Sequence, residues 1–447
     1  MMSKSSGFIK ARSHIIFIVG LLLAFSIVWA VEKNSIMPIE STSIIKTSAT
    51  LPTLPVPRSL TEQERSWAET AWIYFVNNTQ PSGLINSVQN YPSTTMWDTA
   101  SSMMAIISAY QIGIISKFEF DERINKMLQA LNLITLFDNA LPNKSYNTRS
   151  LNMTDYNNNP LPQGIGWSAI DIGRLIIPLN IIIWRYPQHA PQISQLLARW
   201  QLSRLVKNGE LYGAHRAHNG KTIYPQEGRL GYEQYAGRAL QLVGIDSSVA
   251  SSFRYLTFAT VEGIPVGIDS RPSEIDGAQS FIVSEPYVLN GIELPPDLYL
   301  RELSWRILQA QQARWQETGI LTAVSEDHVD RKPYFIYNTL LHNKEPWVAI
   351  SEKGHNVNGL RQLSTKAAFA WYALFDSNYT QQLRKHAAEL SDPKQGWYAG
   401  RYEVDNSINK TLTANTNAVI LESLAFIQNG PLLCVSCSTT PKHITAQ

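Results

Sequence analysis

The chain has 447 residues, 44% of them hydrophobic and 17% charged, with a formal net charge of +2. The hydrophobic share supports a sizeable core, and the near-neutral balance argues against nucleic acid or a strongly acidic polymer as partner. Length alone suggests about three domains, but no linker divides the chain after residue 60, so one large domain is expected.

The N-terminus reads as an export segment, residues 1–31. Lys4, Lys10 and Arg12 precede Ile15 to Val31, which is apolar apart from Gly20 and Ser26. Two fates remain open: a secretory signal cleaved after Ala30, or an uncleaved membrane anchor over residues 15–31. Either puts the rest of the chain in the periplasm or on the outer side of the inner membrane. Residues 32–59 form a Ser/Thr/Pro-rich tether, whose LPTLPVPR (51–58) favours extended backbone.

From residue 60 to 430 two kinds of helical segment alternate. Apolar runs rich in small residues occupy 96–113, 166–184, 228–244, 283–293, 364–375 and 413–427. More charged, amphipathic segments lie near 60–77, 121–136, 189–206, 247–259, 299–314 and 378–390. A helix that is apolar all round needs neighbours on every side, whereas an amphipathic one needs a core on one side only. The expected fold is therefore an all-α (α/α)6 toroid of six inner and six outer helices. The run at 166–184 is too short and too interrupted, by Pro178 and Asn180, for a bilayer span of ~20 residues. Along it Trp167, Asp171, Arg174 and Pro178 share one stripe, and Asp171 with Arg174 reads as an ion pair.

The loops leading into inner helices are long (78–95, 137–165, 207–230, 260–282, 315–362 and 391–412), and those leading out are short. If the pairs are antiparallel, all long loops gather above the inner-helix N-termini, where binding and chemistry usually sit. The tail after Pro431 is peripheral. Its Cys434 and Cys437 are too few for structural zinc, and a short-loop disulfide is their one structural role in an oxidising compartment. No GxSxG, HExxH or P-loop occurs, and His215 with His218 stands in a polar loop, so no metal and no cofactor is expected.

Splitting a glycosidic bond takes a carboxylic acid and a carboxylate base or nucleophile flanking it. The candidate set is Glu233 as acid, between Tyr232 and Tyr235, where apolar rings would raise its pKa, with Asp98 or else Glu403 as base. Asp98 and Glu285, both beside inner-helix starts, fit capping equally well. Glu326 and Asp327 are adjacent and point in different directions, so at most one acts. In GWYAGRYE (396–403), Trp397, Tyr398 and Tyr402 offer flat faces for sugars and Arg401 a hydroxyl contact, unless the segment is a packed hairpin. Trp97, Trp167, Asp171, Glu227, Tyr232, Glu285, Tyr287 and Glu326 complete the expected substrate contacts.

At MWDTAS, GWSAIDIGRLIIPLNII, EGRLGYEQYAGRA, VSEPYVLNGIE, TAVSED, GWYAGRYE and TANTNAVILESL the chain resembles a family of exported bacterial proteins. That family is similar to the glucoamylase-like and β-1,2-glucan-acting hydrolases of the (α/α)6 toroid class. The resemblance covers roughly residues 60–430 and implies a sugar-binding cleft at the inner-helix end with acid/base carboxylates, without fixing which ones act. The functional expectation is a hydrolase acting on an envelope or extracellular glucan. The rival is a non-catalytic glycan-binding or envelope scaffold protein, which keeps the aromatic platform and needs no acid. A polysaccharide lyase would need an acidic substrate and a basic cleft.

Overall fold

Each of the six apolar runs becomes a helix, and a local signal starts it. Thr95, Ser168 and Thr413 accept the backbone N–H three residues on, capping α2 (Met96–Gln111), α4 (Ala169–Arg185) and α12 (Ala414–Asn429). Gly231, at φ 100°, turns the chain into α6 (Tyr232–Gln241), a backbone position that only glycine takes without strain. Pro286 in the first turn suits α8 (Glu285–Glu293), and α10 (Thr365–Leu374) follows Ser364. These helices are buried nearly all round; in α2 every residue but Tyr110 is covered. Each packs on the next, and α12 returns to α2, so the six close into a ring.

The amphipathic segments form a second layer around it. They are α1 (Glu62–Asn78), α3 (Lys117–Leu133), α5 (Ala190–Ala198), α7 (Ser248–Ser251), α9 (Leu298–Thr318) and α11 (Asn378–Ala387). In α3, Phe120, Ile124, Met127, Leu128 and Leu131 make the single buried stripe, the pattern of a helix with a core on one side only. Small residues set the spacing between the layers and around the ring. Gly173 of α4 faces Ala236 of α6, and Gly237 faces Ala250 and Ser251 of α7.

The computed structural model describes residues 14, 16–26, 45–217, 219–272 and 279–433. Ala30, the first part of the tether (32–44), His218, Cys434 and Cys437 lie outside the described residues. Residues 16–26 are helical, and among the described residues no helix is long and apolar enough to cross a membrane. Residues 45–58 do not hang free. Residues 46–52 run along α9, where Glu302 accepts the Ser48 N–H and hydroxyl at 3.0 and 3.1 Å and Arg301 donates to the Pro52 carbonyl at 2.7 Å, and Arg58 pairs with Glu64 of α1 at 2.7 Å.

The all-α expectation needs correcting, because twenty short strands occur among the described residues, most of them in the long loops. Loops of that length pack against each other and must satisfy their own backbone groups, which hairpins do. The expected outer helix at 247–259 is the single turn α7. It gives way to a hairpin pairing Leu256–Val261 with Ile264–Asp269. LTFATV is rich in β-branched and aromatic residues, and Glu262-Gly263, both at positive φ (49° and 76°), make the two-residue turn.

The ring's closeness is testable at Gly173, where an added Cβ would stand 2.8 Å from that of Ala236. Gly173→Val should lower the urea midpoint by the equivalent of ~1–3 kcal/mol through overpacking while the helical circular dichroism is kept. An unchanged midpoint would show that α4 and α6 have room to spare.

Candidate active site

Four inner helices meet at one carboxylate. Glu285, first residue of α8, accepts from Asn415 of α12 at 2.6 Å, from Trp97 of α2 at 3.3 Å and from Ser325 at 3.3 Å, and it pairs with Lys366 of α10. The inner-helix N-termini therefore converge at one end, as the loop lengths imply. Burial pushes Glu285 up, but Lys366 and Arg174 together hold it below the ordinary carboxylate range. Beneath it Arg174, wholly buried, stands 3.5 Å from Glu285, Glu293 and Glu422 and stacks its guanidinium 4.3 Å over the Trp97 ring. This network is the floor of the site.

The expected Asp171–Arg174 ion pair is absent. Arg174 spends its charge on the floor, three residues along the helix from Asp171, and Asp171 is left at the mouth. The Ser168 hydroxyl donates to Asp171 at 3.0 Å while Ser168 caps α4 through the Asp171 N–H. Burial, then the nearby charge of Glu227, pushes the Asp171 carboxyl up to about 7. Glu227 comes from the loop before α6, and its Oε2 accepts the Ala169 N–H at 2.6 Å, at the start of α4. It fits there because residue 213 is glycine, whose Cβ would lie 2.8 Å from that oxygen. Asp98 repeats the arrangement one helix earlier, with Thr95 donating to it at 2.9 Å. Its charge reaches Asp171 more weakly than that of Glu227.

A hairpin in the loop before α10 forms the other wall. Glu326–His328 pairs with Phe335–Asn338 so that Glu326 lies opposite Tyr337 and His328 opposite Phe335. Those four share one partly exposed face, while Asp327 and Ile336 turn inward and are buried. Glu326 accepts the Tyr232 hydroxyl. Burial and the charge of Glu285 push it up to about 8.

Residues 66–430 match the family model whose description is a protein of unknown function, DUF3131. The chain belongs to that family. No curated protein matches this DUF3131 member. Its fold is shared with an endo-β-1,2-glucanase from Chitinophaga pinensis, solved with sophorotriose and glucose, at TM-score 0.60 and 13% identity over 85% of this chain and 96% of that one. A candidate glucoamylase from Bacteroides caccae superposes equally well, with TM-score 0.60 and 13% identity over 83% and 94% of the two chains. An endo-β-1,2-glucanase variant from Talaromyces funiculosus, solved with β-1,2-glucan, gives 0.53 and 11% over 83% and 84%. At such identities the likeness is one of fold.

The DUF3131 chain does not gather Asp98, Glu233 and Glu403 in one cleft. Glu233 and Gly237, one helical turn apart, share the face of α6 turned to the outer layer, whereas Tyr232 and Tyr235 face the axis. Burial does raise Glu233 to about 7, against the pull of Arg271, but that carboxyl is bonded to Arg271 and Gln226 inside the wall. Glu403 is gripped by Arg314 at 2.7 and 2.8 Å and by Arg361 at 3.2 Å, which lower its pKa despite burial.

GWYAGRYE is the packed alternative. Gly396–Tyr402 is a strand between two others, and Trp397, wholly buried, stands edge-on to Phe369 at 4.9 Å and Trp67 at 6.5 Å. Tyr402 is buried with its hydroxyl on Asp330 at 2.7 Å, Arg401 pairs with Glu389, and Tyr398 packs against the core. Trp167 and Tyr287 are also buried and give no face to a ligand, although Trp167 carries the half-exposed Tyr224 on its ring. Trp97 and Glu285 belong to the floor; Tyr232, Glu227 and Glu326 line the cleft. His215 is on a short strand. Lys366, His328, Phe335 and Tyr337 went unread, the last three because the alternation in EDH and FIYN is a weak signal inside a long loop.

Trp397→Ala should therefore act on stability, at ~3–5 kcal/mol for a large buried aromatic, measured by thermal unfolding. Weakened glycan binding in a variant of unchanged melting temperature would return Trp397 to the site.

Proposed function

We propose that this protein is a glycoside hydrolase acting on a neutral glucan, with Asp171 as general acid and Asp98 as base. The observation that carries the reading is the group at the start of α4: a carboxyl that keeps its proton near neutral pH, next to a second carboxylate from another loop. An acid must be protonated when the leaving oxygen departs, and Glu227, by its charge, holds the proton on Asp171. Asp98 acts on Asp171 more weakly than Glu227 does, as suits a base with the sugar and its water between the two. The shared fold with enzymes described as cleaving β-1,2-glucan supports a glucan substrate and makes that polymer the first to try.

The basic residues before an apolar segment support a position outside the cytoplasm, in the periplasm or anchored to the inner membrane's outer side. An alkaline phosphatase fused after Gln447 should be active in cells; a fusion active only after lysis would count against export.

The chemistry is tested by incubating the full chain with β-1,2-glucan and other neutral glucans and reading new reducing ends. Asp171→Asn should cut kcat by about 10²–10⁴-fold, whereas Glu233→Gln, in the wall, should retain most activity. The rate should fall as pH rises through about 7, where Asp171 loses its proton, and Asp171→Asn should lose that limb. Turnover unchanged by Asp171→Asn removes it as the acid. Saturable glycan binding without turnover on any glucan would favour the binding-protein reading.

A further inference from the structure

The hairpin wall opposite Asp171 is an unbroken aromatic path from the floor to the rim. The Trp97 ring lies 5.7 Å from Tyr232, Tyr232 lies 6.5 Å from Phe281, and Phe281 lies 4.3 Å from Tyr337. From there Tyr337 meets Phe335 at 5.2 Å, and Phe335 meets His328 at 5.1 Å. Core aromatics are covered; Tyr232, Phe281, Tyr337, Phe335 and His328 all keep part of their surface open. The strand register explains why. Phe335 and Tyr337 are two residues apart on one strand and stand across from His328 and Glu326, so all four side chains share the open face.

The polar groups on this ledge carry little charge near neutral pH. Glu326 is raised to about 8, chiefly by burial, and His328 is lowered by burial, which leaves a carboxylic acid and a neutral imidazole among aromatic rings. Glu326, His328 and the rings thus offer hydrogen bonds and flat apolar faces in place of ion pairs, with Glu352 a carboxyl in electrostatic reach of Tyr337. On the far side Tyr156, 58% exposed, rises from the loop before α4. α4 and α10 are the second and fifth of six inner helices, so their loops face each other across the mouth. The hydroxyl of Tyr156 is within electrostatic reach of Asp171, Glu227 and Glu352.

We propose that this ledge is an extended glycan-binding surface, on which Tyr337 and Phe335 stack successive uncharged sugar rings of a linear chain, with Tyr156 closing over it from the opposite loop. The proposal rests on the glucan reading of the same site and deepens it: the ligand is a run of several neutral sugar units, not a single terminal sugar. The path from Tyr232, next to the floor, through Phe281 and Tyr337 to Phe335, in steps of 6.5, 4.3 and 5.2 Å, is longer than one pyranose ring can cover. Phe281 and Tyr337, the tightest pair, set where one ring leaves off and the next begins.

The test is binding of β-1,2-linked glucose oligosaccharides of two to about eight units to the full chain by calorimetry, with turnover of the same series measured in parallel. Affinity should rise with length. Tyr337→Ala and Phe335→Ala should each weaken binding of the longest oligosaccharide about tenfold, equivalent to ~1.4 kcal/mol, and leave the disaccharide nearly unaffected. Tyr337→Phe, which keeps the ring, should restore most of the affinity, a result that general loss of folding would not produce. Phe118→Ala, on the exposed side of an outer helix, should change nothing. Length-independent binding, or full affinity in both alanine variants, overturns the ledge. Length-dependent binding that these variants lose, in a protein with no turnover, supports the ledge and refutes the hydrolase instead. If the β-1,2 series does not bind, the same readings on β-1,3, β-1,4 and β-1,6 glucose oligosaccharides apply, and failure of every series overturns the proposal.

Discussion

The arrangement of this protein depends on a charged network buried where its inner helices begin. Arg174 and Lys366 face Glu285, Glu293, Glu422 and Asp327, and none of these side chains is more than 5% exposed. Burying such groups is costly unless each is paired, and removing one partner of a buried pair usually costs ~3–5 kcal/mol. The network avoids the full cost by keeping protons. Burial and the charge of Glu293 push Glu422 well above the ordinary range, and burial raises Asp327 to about 7. What the network gains is register. Glu285 is reached from α2, α10 and α12, Arg174 from α4 touches carboxyls of α8 and α12, and Tyr235 of α6 donates to Glu293, so all six inner helices are indexed against one another by polar contacts as well as by packing.

That floor determines what is left for the mouth. With Arg174 and Lys366 engaged below, Asp171 feels only the weaker pull of Lys144, which burial and the charge of Glu227 outweigh. The caps then fix the carboxyls in place. Thr95 with Asp98 and Ser168 with Asp171 are the same motif on successive inner helices, a hydroxyl capping the helix and also donating to the carboxyl three residues on. A residue kept in position by the start of a rigid helix is a better place for chemistry than one on a free loop. Capping therefore does not exclude a role in chemistry at these two positions.

Much of the scaffold was legible because it is local. Small apolar runs alternating with amphipathic ones signalled six inner and six outer helices, and loop lengths signalled the end at which the inner-helix N-termini converge. Two of the misreadings share one cause, long-range pairing. Arg174 three residues after Asp171 looks like its partner until Glu285, Glu293 and Glu422 arrive from elsewhere in the chain. Trp397 looks like a sugar platform until Trp67 and Phe369 enclose it. Glu233 is different, since its face was readable: Tyr232 and Tyr235 cannot share the axis with a residue that lies over Gly237. The hairpin of Glu326 and Tyr337 stayed hidden because a two-residue alternation inside a long loop is a weak signal without its partner strand.

The low identity to structures of the same fold follows from the same division. Closing a ring of helices requires apolar, small residues at many positions, and many sequences meet that requirement, whereas the raised carboxyls depend on a few specific neighbours, Glu227 beside Asp171 and Glu285 beside Glu326. Those carboxyls also link site and stability. Asp171, Asp327 and Glu326 have folded-state values near 7 to 8, above the ordinary carboxylate range. A carboxyl raised on folding binds its proton more tightly in the folded chain, so its contribution favours folding less as pH climbs from about 4 toward 8. A pH rise that takes the proton from Asp171 thus also deprotonates Glu326 and Asp327 and adds negative charge around Glu285, the carboxylate where four inner helices meet.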